Sequence, residues 1–268
     1  MSANFLHSAQ DGAVVTLTMS RPDERNAIGS HADCDEFVAA LERASADPRV
    51  AVVMLTGAGP SFSAGGNLKN MRDRIGIGAL DTPMATRNNY RAGIQRVPRA
   101  LWELEIPTIA AVNGHAIGVG LDLACMCDIR IAADSAKFAA SFIKVGIVPG
   151  DGGAYFLPKA VGLAKAAEML FTGDMLDADA ALACGLVSRV VAVDSLMAEA
   201  GKLAARIAVN PPQTLRLSKR LLREAQHARL SEVLELSAAY QSLAHETADH
   251  RTALNAFFDK RVPVFTGQ

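Results

Sequence analysis

The sequence is poor in cysteine and has no cluster of metal-binding residues. Four cysteines in 268 residues are too few for a disulfide framework, and none of them has the paired spacing of a zinc site. The six histidines are scattered, without the helical spacing that paired metal ligands need. We therefore expect a reducing compartment and no bound metal ion.

An excess of charge of either sign is also absent. The 27 basic and 28 acidic residues leave a net charge of -1, and no basic run could follow a phosphate backbone. No apolar run approaches the roughly 18 residues of a membrane helix, and the first ten residues lack the apolar core of a secretory signal. These absences predict a cytoplasmic protein that binds neither nucleic acid nor a membrane.

The elements that the sequence does predict are typical of an α/β fold. With 50% hydrophobic residues, the chain can bury a large core. Apolar runs at 14–19, 50–56, 107–112 and 128–133 predict strands, and helical patterns occupy 31–46, 67–74, 87–104 and 114–126. From about residue 194 only helical patterns remain. We therefore predict an α/β core over residues 1–193 and a helical region over 194–268.

Two glycine-rich loops follow predicted strands, one around Gly65 and Gly66 and the other from Gly114 to Gly120. Open α/β sheets place ligands at the carboxyl ends of strands. Free amides in such loops, at Gly66 and at Val119 where a helix begins, would bind an oxygen that becomes negative during a reaction. Alternatively, the glycines only permit tight turns and close packing. A dinucleotide loop is disfavoured, because the third glycine of that fingerprint is missing.

Several motifs in the same order as in the crotonase (enoyl-CoA hydratase/isomerase) family cover nearly the whole chain. The segment S-A-G-G-N-L beginning at Ser63 resembles the family's S-A-G-x-D-L, and residues 113–128 resemble its N-G-x-A-x-G-x-G-x-E-L-A-x-x-C-D. An R-P-x-x-x-N-A turn begins at Arg21, and further similarities lie at 145–153, 172–173, 185–187 and 258–265.

The resemblance implies a spiral of ββα units with a C-terminal helical region that forms trimers, often paired as hexamers. It implies an acyl-CoA substrate, with coenzyme A as part of the substrate and no separate cofactor. By the same resemblance, the amides of Gly66 and Val119 form an oxyanion hole for the thioester oxygen. Arg25 and the backbone near Ala64 fall where the family contacts the CoA nucleotide, and Lys260 where a neighbouring subunit approaches its phosphate.

Both glutamates of the family's hydratases are replaced here. The first position holds Asp122, which keeps a carboxylate in the first turn of a helix, although such an acid also stabilises the helix dipole by about 0.3–1 kcal/mol without doing chemistry. The second holds Phe142, which cannot transfer a proton and is expected to line the acyl pocket. Asp151 lies near the single acid of some family isomerases, but Asp-Gly is also a common turn dipeptide.

We therefore expect an enoyl-CoA hydratase or isomerase in which Asp122, Asp151 or both move a proton next to a stabilised enolate. Hydrolysis of a thioester or carbon-carbon bond, and acyl-CoA binding without catalysis, are the alternatives. Met71, Met84 and Trp102 are further candidates for the acyl pocket, although core packing explains each equally well. His115 is expected to pack away from the thioester.

Overall fold

The computed structural model describes residues 4–268 and contains two sheets. Val14, Val52 and their neighbours form long apolar runs because most strands of the larger sheet are covered on both faces. The ten strands are β1 Leu6–Asp11, β2 Val14–Met19, β3 Val52–Gly57, β4 Ser61–Ser63, β5 Thr108–Val112, β6 His115–Ile117, β7 Ile129–Ala133, β8 Lys137–Ala139, β9 Leu176–Asp177 and β10 Arg189–Val191.

The chain alternates between the sheets as it advances. The larger sheet has the order β1-β2-β3-β5-β7-β10 and the smaller one the order β4-β6-β8-β9. The strand pairs β3/β4, β5/β6 and β7/β8 each contribute one strand to each sheet before the next helix. Apart from the antiparallel pairs β1/β2 and β8/β9, neighbouring strands are parallel. This repeating advance is the predicted spiral of ββα units.

Twelve α-helices lie in the described part of the chain. The first begins at a capping box, in which the Asp33 amide donates to Ser30 Oγ and the Ser30 amide donates to the Asp33 carboxylate. The helices are α1 His31–Ala46, α2 Leu68–Asp73, α3 Pro83–Ala92, α4 Arg96–Glu103, α5 Val119–Met126, α6 Gly153–Val161, α7 Leu163–Thr172, α8 Ala178–Ala183, α9 Leu196–Ala208, α10 Pro212–Glu224, α11 Leu230–Glu246 and α12 Ala248–Phe258.

Two sequence predictions of local structure were wrong. The helical pattern at 87–104 belongs to two helices, because the backbone of Gly93 leaves the helical region (φ -104°, ψ -109°) and ends α3. Residues 114–120, predicted as a loop opening a helix, contain strand β6. A three-residue strand is too short to show a two-residue alternation, so its pairing partners define it.

The C-terminal helices differ in how they meet the core. Leu196, Ala200 and Ala204 of α9 are fully buried against the larger sheet. From α10, Arg216 donates hydrogen bonds to the carbonyls of Ser45 and Asp47 at 3.0 and 2.9 Å. By contrast, α11 buries no residue and leaves leucines exposed, and the end of α12 exposes two phenylalanines. The boundary between the α/β core and the helical region, predicted at residues 193/194, stays a prediction.

None of the helices in residues 4–268 combines the length and the apolar composition that crossing a membrane requires.

Candidate active site

A cavity of about 300 Å³ lies where the two glycine-rich loops meet. It adjoins the carboxyl ends of β4 and β6, which pair with each other in the smaller sheet. Most of its wall is apolar. The wall includes Ile28, Ala64, Gly66, Met71, Tyr90, Ile94, Gly118, Val119, Phe142, Lys144, Val148, Gly150 and Asp151.

The loops pack backbone against backbone, and two glycines make this approach possible. A Cβ on Gly65, whose φ is +90°, would lie 2.5 Å from the Ile117 carbonyl oxygen. One on Gly120 would lie 2.2 Å from the Ser63 carbonyl oxygen. Both distances are shorter than non-bonded contact allows, so any larger residue would separate the loops. The glycines therefore bring the Gly66 and Val119 segments to one cavity.

Asn26 holds the glycine-rich loop around Gly65 in place through hydrogen bonds. Its Nδ2 donates to the carbonyls of Ala58 and Ser61 at 2.9 and 2.8 Å, and Ser63 Oγ donates to the Asn26 carbonyl at 2.8 Å. Asn26 is fully buried and adopts a positive φ of 56°. These bonds explain why the turn beginning at Arg21 belongs to the site, although its side chains do not line the cavity.

The amides of Gly66 and Val119 both lie at the cavity. Among the backbone hydrogen bonds of residues 4–268 that lie outside helices and strands, neither amide is a donor. Val119 is the first residue of α5, so its N-H has no partner within the helix. Two N-H donors and the positive end of a helix dipole therefore converge on one wall, an arrangement suited to a partly negative oxygen.

Asp122 and Asp151 form a buried carboxyl pair. Asp122 lies in the first turn of α5, Asp151 lies just before α6, and these two helices pack against each other. The side chains are 0% and 1% exposed, and none of the four carboxyl oxygens has a partner of good hydrogen-bond geometry in the described chain. The two carboxyls are close enough to shift each other's pKa, and a hydrogen bond between them requires that one be protonated.

Burial dominates the electrostatics of the pair. Burial, followed by the charge of Asp151 and the hydrogen bond to it, holds the pKa of Asp122 well above its usual range. Burial also raises the pKa of Asp151, but the hydrogen bond from Asp122 opposes that rise. Both carboxyls therefore hold a proton to higher pH than a free aspartate does, and the two titrate as a pair.

The two acids occupy different positions relative to the cavity. Asp151 lines the cavity, whereas Asp122 lies behind it and does not. Gly153 packs directly on the hidden acid, since a Cβ there would lie 2.1 Å from Asp122 Oδ2. Asp151 is therefore the acid nearer to the cavity, although both of its carboxyl oxygens are buried.

Aromatic side chains shape the cavity beside these groups. Phe142 is 8% exposed and lies in the wall, where its ring is 3.7 Å from the position of a Cβ on Gly118. Tyr90, which the sequence analysis missed, is half-buried and packs on Gly150. Burial and then the charge of Asp151 raise the pKa of Tyr90, so its hydroxyl stays protonated. No pattern in the sequence marks Tyr90, because α3 ends before Ile94 and the packing of α3 places the ring against Gly150.

The residues predicted to contact CoA are brought together only in part. The Ala64 amide donates to the Arg25 carbonyl at 2.8 Å, so these two residues are neighbours at the cavity rim. Lys260 follows α12, is exposed, and lines no cavity described here. Lys144, which the sequence analysis missed, lines the cavity and forms an exposed ion pair with Asp174 at 3.5 Å.

Two candidates for the acyl pocket lie elsewhere. Met71 lines the cavity, but Met84 is 63% exposed outside it. Trp102 packs on Tyr155 and Phe156, with ring centroids 5.4 and 5.9 Å away, because helix α4 turns this side chain away from the cavity.

His115 also lies outside the cavity wall, with its side chain exposed. Within residues 4–268, no group of three or more His, Cys, Asp or Glu side chains is arranged to hold a metal ion.

Known proteins share both the sequence and the architecture. The sequence model of the enoyl-CoA hydratase/isomerase family matches residues 9–268 of this chain. The chain is 36% identical to the 1,2-epoxyphenylacetyl-CoA isomerase of Escherichia coli over 98% of this chain and 99% of that protein. It is also 36% identical to a probable enoyl-CoA hydratase of Mycobacterium bovis, over 96% of each chain.

The crystal structure of an enoyl-CoA hydratase from Bacillus anthracis has the same fold, with a TM-score of 0.91 and 31% identity over 98% of this chain and all of that one. The two-sheet spiral and its loops therefore define a fold of the crotonase type, as the sequence predicted. The chain belongs to the enoyl-CoA hydratase/isomerase family, and its activity is that of a hydratase or isomerase.

Proposed function

We propose that the protein isomerises the double bond of an enoyl-CoA thioester, with Asp151 as the proton carrier. The acyl group occupies the 300 Å³ cavity. The thioester oxygen accepts hydrogen bonds from the amides of Gly66 and Val119, which stabilise the enolate. Each such donor is typically worth about 10²- to 10³-fold in rate.

The observation that carries this proposal is that Asp151 alone of the two acids faces the cavity. As a carboxylate, Asp151 removes a proton from the α carbon of a 3-enoyl thioester, and the electron pair moves into the enolate. Asp151 then delivers that proton to the γ carbon, which leaves the 2-enoyl thioester. No atom is gained or lost, and no water takes part.

Asp122 acts in this scheme as a positioning residue. Its protonated carboxyl donates to Asp151, which orients the base and prevents burial from raising its pKa too far. Two buried carboxyls that share one proton are a known way to keep one acid and one base side by side.

For the coenzyme, we propose that Arg25 and the Ala64 backbone contact the CoA nucleotide at the rim, with Lys144 beside them. Coenzyme A enters as part of the substrate, and the reaction needs no separate cofactor. We further propose a trimer or a dimer of trimers, in which the exposed apolar residues of α11 and α12 are covered and Lys260 reaches a neighbour's CoA. Exposed phenylalanines and leucines, such as Phe257 at 78%, support this assembly.

The cytoplasm is the proposed location, and the four free cysteines agree with a reducing compartment.

Hydration is the second candidate, because two neighbouring carboxyls are present and a similar protein is named as a hydratase. Product analysis separates the two reactions. The protein is incubated with a 3-enoyl-CoA and with crotonyl-CoA in H₂¹⁸O, and the products are identified by mass spectrometry. We expect the 2-enoyl thioester without label. Label in a 3-hydroxyacyl-CoA would establish hydration, and no turnover of either thioester would leave hydrolysis of another acyl-CoA or binding alone.

The assignment of Asp151 is tested with Asp151→Asn and with Asp81→Asn, which removes an exposed carboxylate outside the cavity wall. Only the first should lower turnover, by about 10²- to 10⁴-fold. Retained turnover in Asp151→Asn would transfer the proton chemistry to Asp122.

A further inference from the structure

A second, more open cavity of about 670 Å³ adjoins the proposed acyl cavity. The two share Tyr90, Ile147, Val148 and Gly150 in their walls. The second cavity contains neither Gly66 nor Val119 of the proposed oxyanion hole. The two cavities are therefore neighbours, and the second lies outside the proposed oxyanion hole.

Two arginines give the second cavity its chemistry. Arg87 and Arg91 both line it, and they lie four residues apart on α3, so they share one helix face. Neither side chain forms an ion pair or donates a hydrogen bond to another residue in 4–268. Like charges at this spacing repel each other, and an anion between them would remove that repulsion.

The boundary between the cavities is held in place. Gln95 Nε2 donates to the Gly150 carbonyl at 2.8 Å, and the Tyr90 ring packs against Gly150. The apolar walls of the first cavity suit a hydrocarbon chain. Beyond them, the cations of the second cavity suit a group that is both polar and negative.

We propose that the second cavity binds a carboxylate at the far end of the acyl chain, held by Arg87 and Arg91. The preferred substrates are then acyl-CoA thioesters with an acidic terminus. This proposal rests on the proposed function, because it assumes that the first cavity holds the acyl group. Guanidinium groups suit the task, since their paired N-H donors match the two oxygens of a carboxylate.

The test measures binding, so that it does not depend on turnover. Adipyl-CoA, hexanoyl-CoA and free CoA are titrated calorimetrically into the full-length protein and into Arg87→Gln, Arg91→Gln and the double variant. Adipyl-CoA and hexanoyl-CoA differ only in whether the sixth carbon is a carboxylate or a methyl group. We expect adipyl-CoA to bind more tightly to the unmodified protein and each substitution to weaken it by about five- to tenfold. Binding of hexanoyl-CoA should be unchanged.

Arg43→Gln is the matched control, because Arg43 is an exposed arginine at the end of α1 that lines neither cavity. Equal binding of the two thioesters by the unmodified protein would overturn the proposal. An equal loss for adipyl-CoA, hexanoyl-CoA and free CoA would also overturn it, since the arginines would then bind the CoA phosphates. Failure of the proposed function has a different signature, in which adipyl-CoA retains its preference but no enoyl-CoA is converted.

Discussion

Replacing Asp122 by Asn should stabilise the protein at neutral pH. A carboxyl group whose pKa is raised on folding holds its proton in the folded state after the unfolded chain has released it. Stability therefore falls as pH rises above the ordinary value of 3.8, by about 1.4 kcal/mol per pH unit, until the raised pKa of the folded state is reached. The Asp122→Asn substitution would remove this loss, because an amide does not titrate.

The magnitude follows from the burial of the pair. Between the ordinary value of 3.8 and the raised pKa of the folded state, the free energy of unfolding of the Asn variant should exceed that of the unmodified protein by a margin that grows with pH. The amide nitrogen of Asn still donates a hydrogen bond, so the Asp151 carboxylate keeps a partner. The substitution should therefore remove the pH-dependent loss of stability without leaving Asp151 unpartnered.

Urea unfolding at one protein concentration, followed by circular dichroism between about pH 4.5 and pH 8, measures this difference. Asp81→Asn controls for the loss of an exposed carboxylate and should show no such trend. The free energies of unfolding of Asp122→Asn and of the unmodified protein are compared at each pH. If their difference stays constant with pH, or if the variant is less stable throughout, Asp122 is ionised in the folded protein.

Asp151→Asn should lower kcat by about 10²- to 10⁴-fold, whereas an acyl-CoA without a double bond should still bind. An equal loss of binding would contradict the role of Asp151 as a base. Because the hydrogen bond from Asp122 opposes the rise in the pKa of Asp151, Asp122→Ala should move the ascending limb of the pH–rate profile to higher pH, whereas Asp122→Asn should not. Gly153→Ala should cost about 1–3 kcal/mol of stability and most activity by displacing the Asp122 carboxyl, whereas Gly201→Ala, with open space around it, should be tolerated. Lys219→Met should cost about 1–3 kcal/mol in urea unfolding, because it removes a buried ammonium that donates to the Ile106 carbonyl and pairs with the more exposed Asp128, whereas the exposed Lys202→Met should cost little.

The long elements of the fold could be predicted from the sequence, whereas the short ones could not. Strands such as Val52–Gly57 and the helix His31–Ala46 carry enough apolar positions to show a period. Strands of two or three residues, such as His115–Ile117, do not, so the second sheet appears only when its parallel partners are in place.

The candidate site follows the same division. Motifs in the sequence led to Gly66, Val119, Asp122 and Asp151, which the fold brings to one region. The sequence could not tell which acid faces the cavity, because this depends on how α5 packs against α6. Tyr90 was missed for a similar reason, since only the position of α3 gives this side chain its place beside Gly150.

The positions of Phe142 and Asp151 favour isomerisation over hydration on geometric grounds. Syn hydration with two carboxylates needs both acids at the substrate, so that one activates the water and the other delivers the proton. Here Phe142 contributes an apolar surface to the wall, and Asp122 lies behind Asp151. In the proposed reaction one carboxylate, Asp151, acts on the acyl group, and it would deliver a proton to a second carbon of the same enolate without an ordered water. A buried, protonated partner would make such a base both desolvated and oriented, which is what a proton shuttle between the α and γ carbons requires.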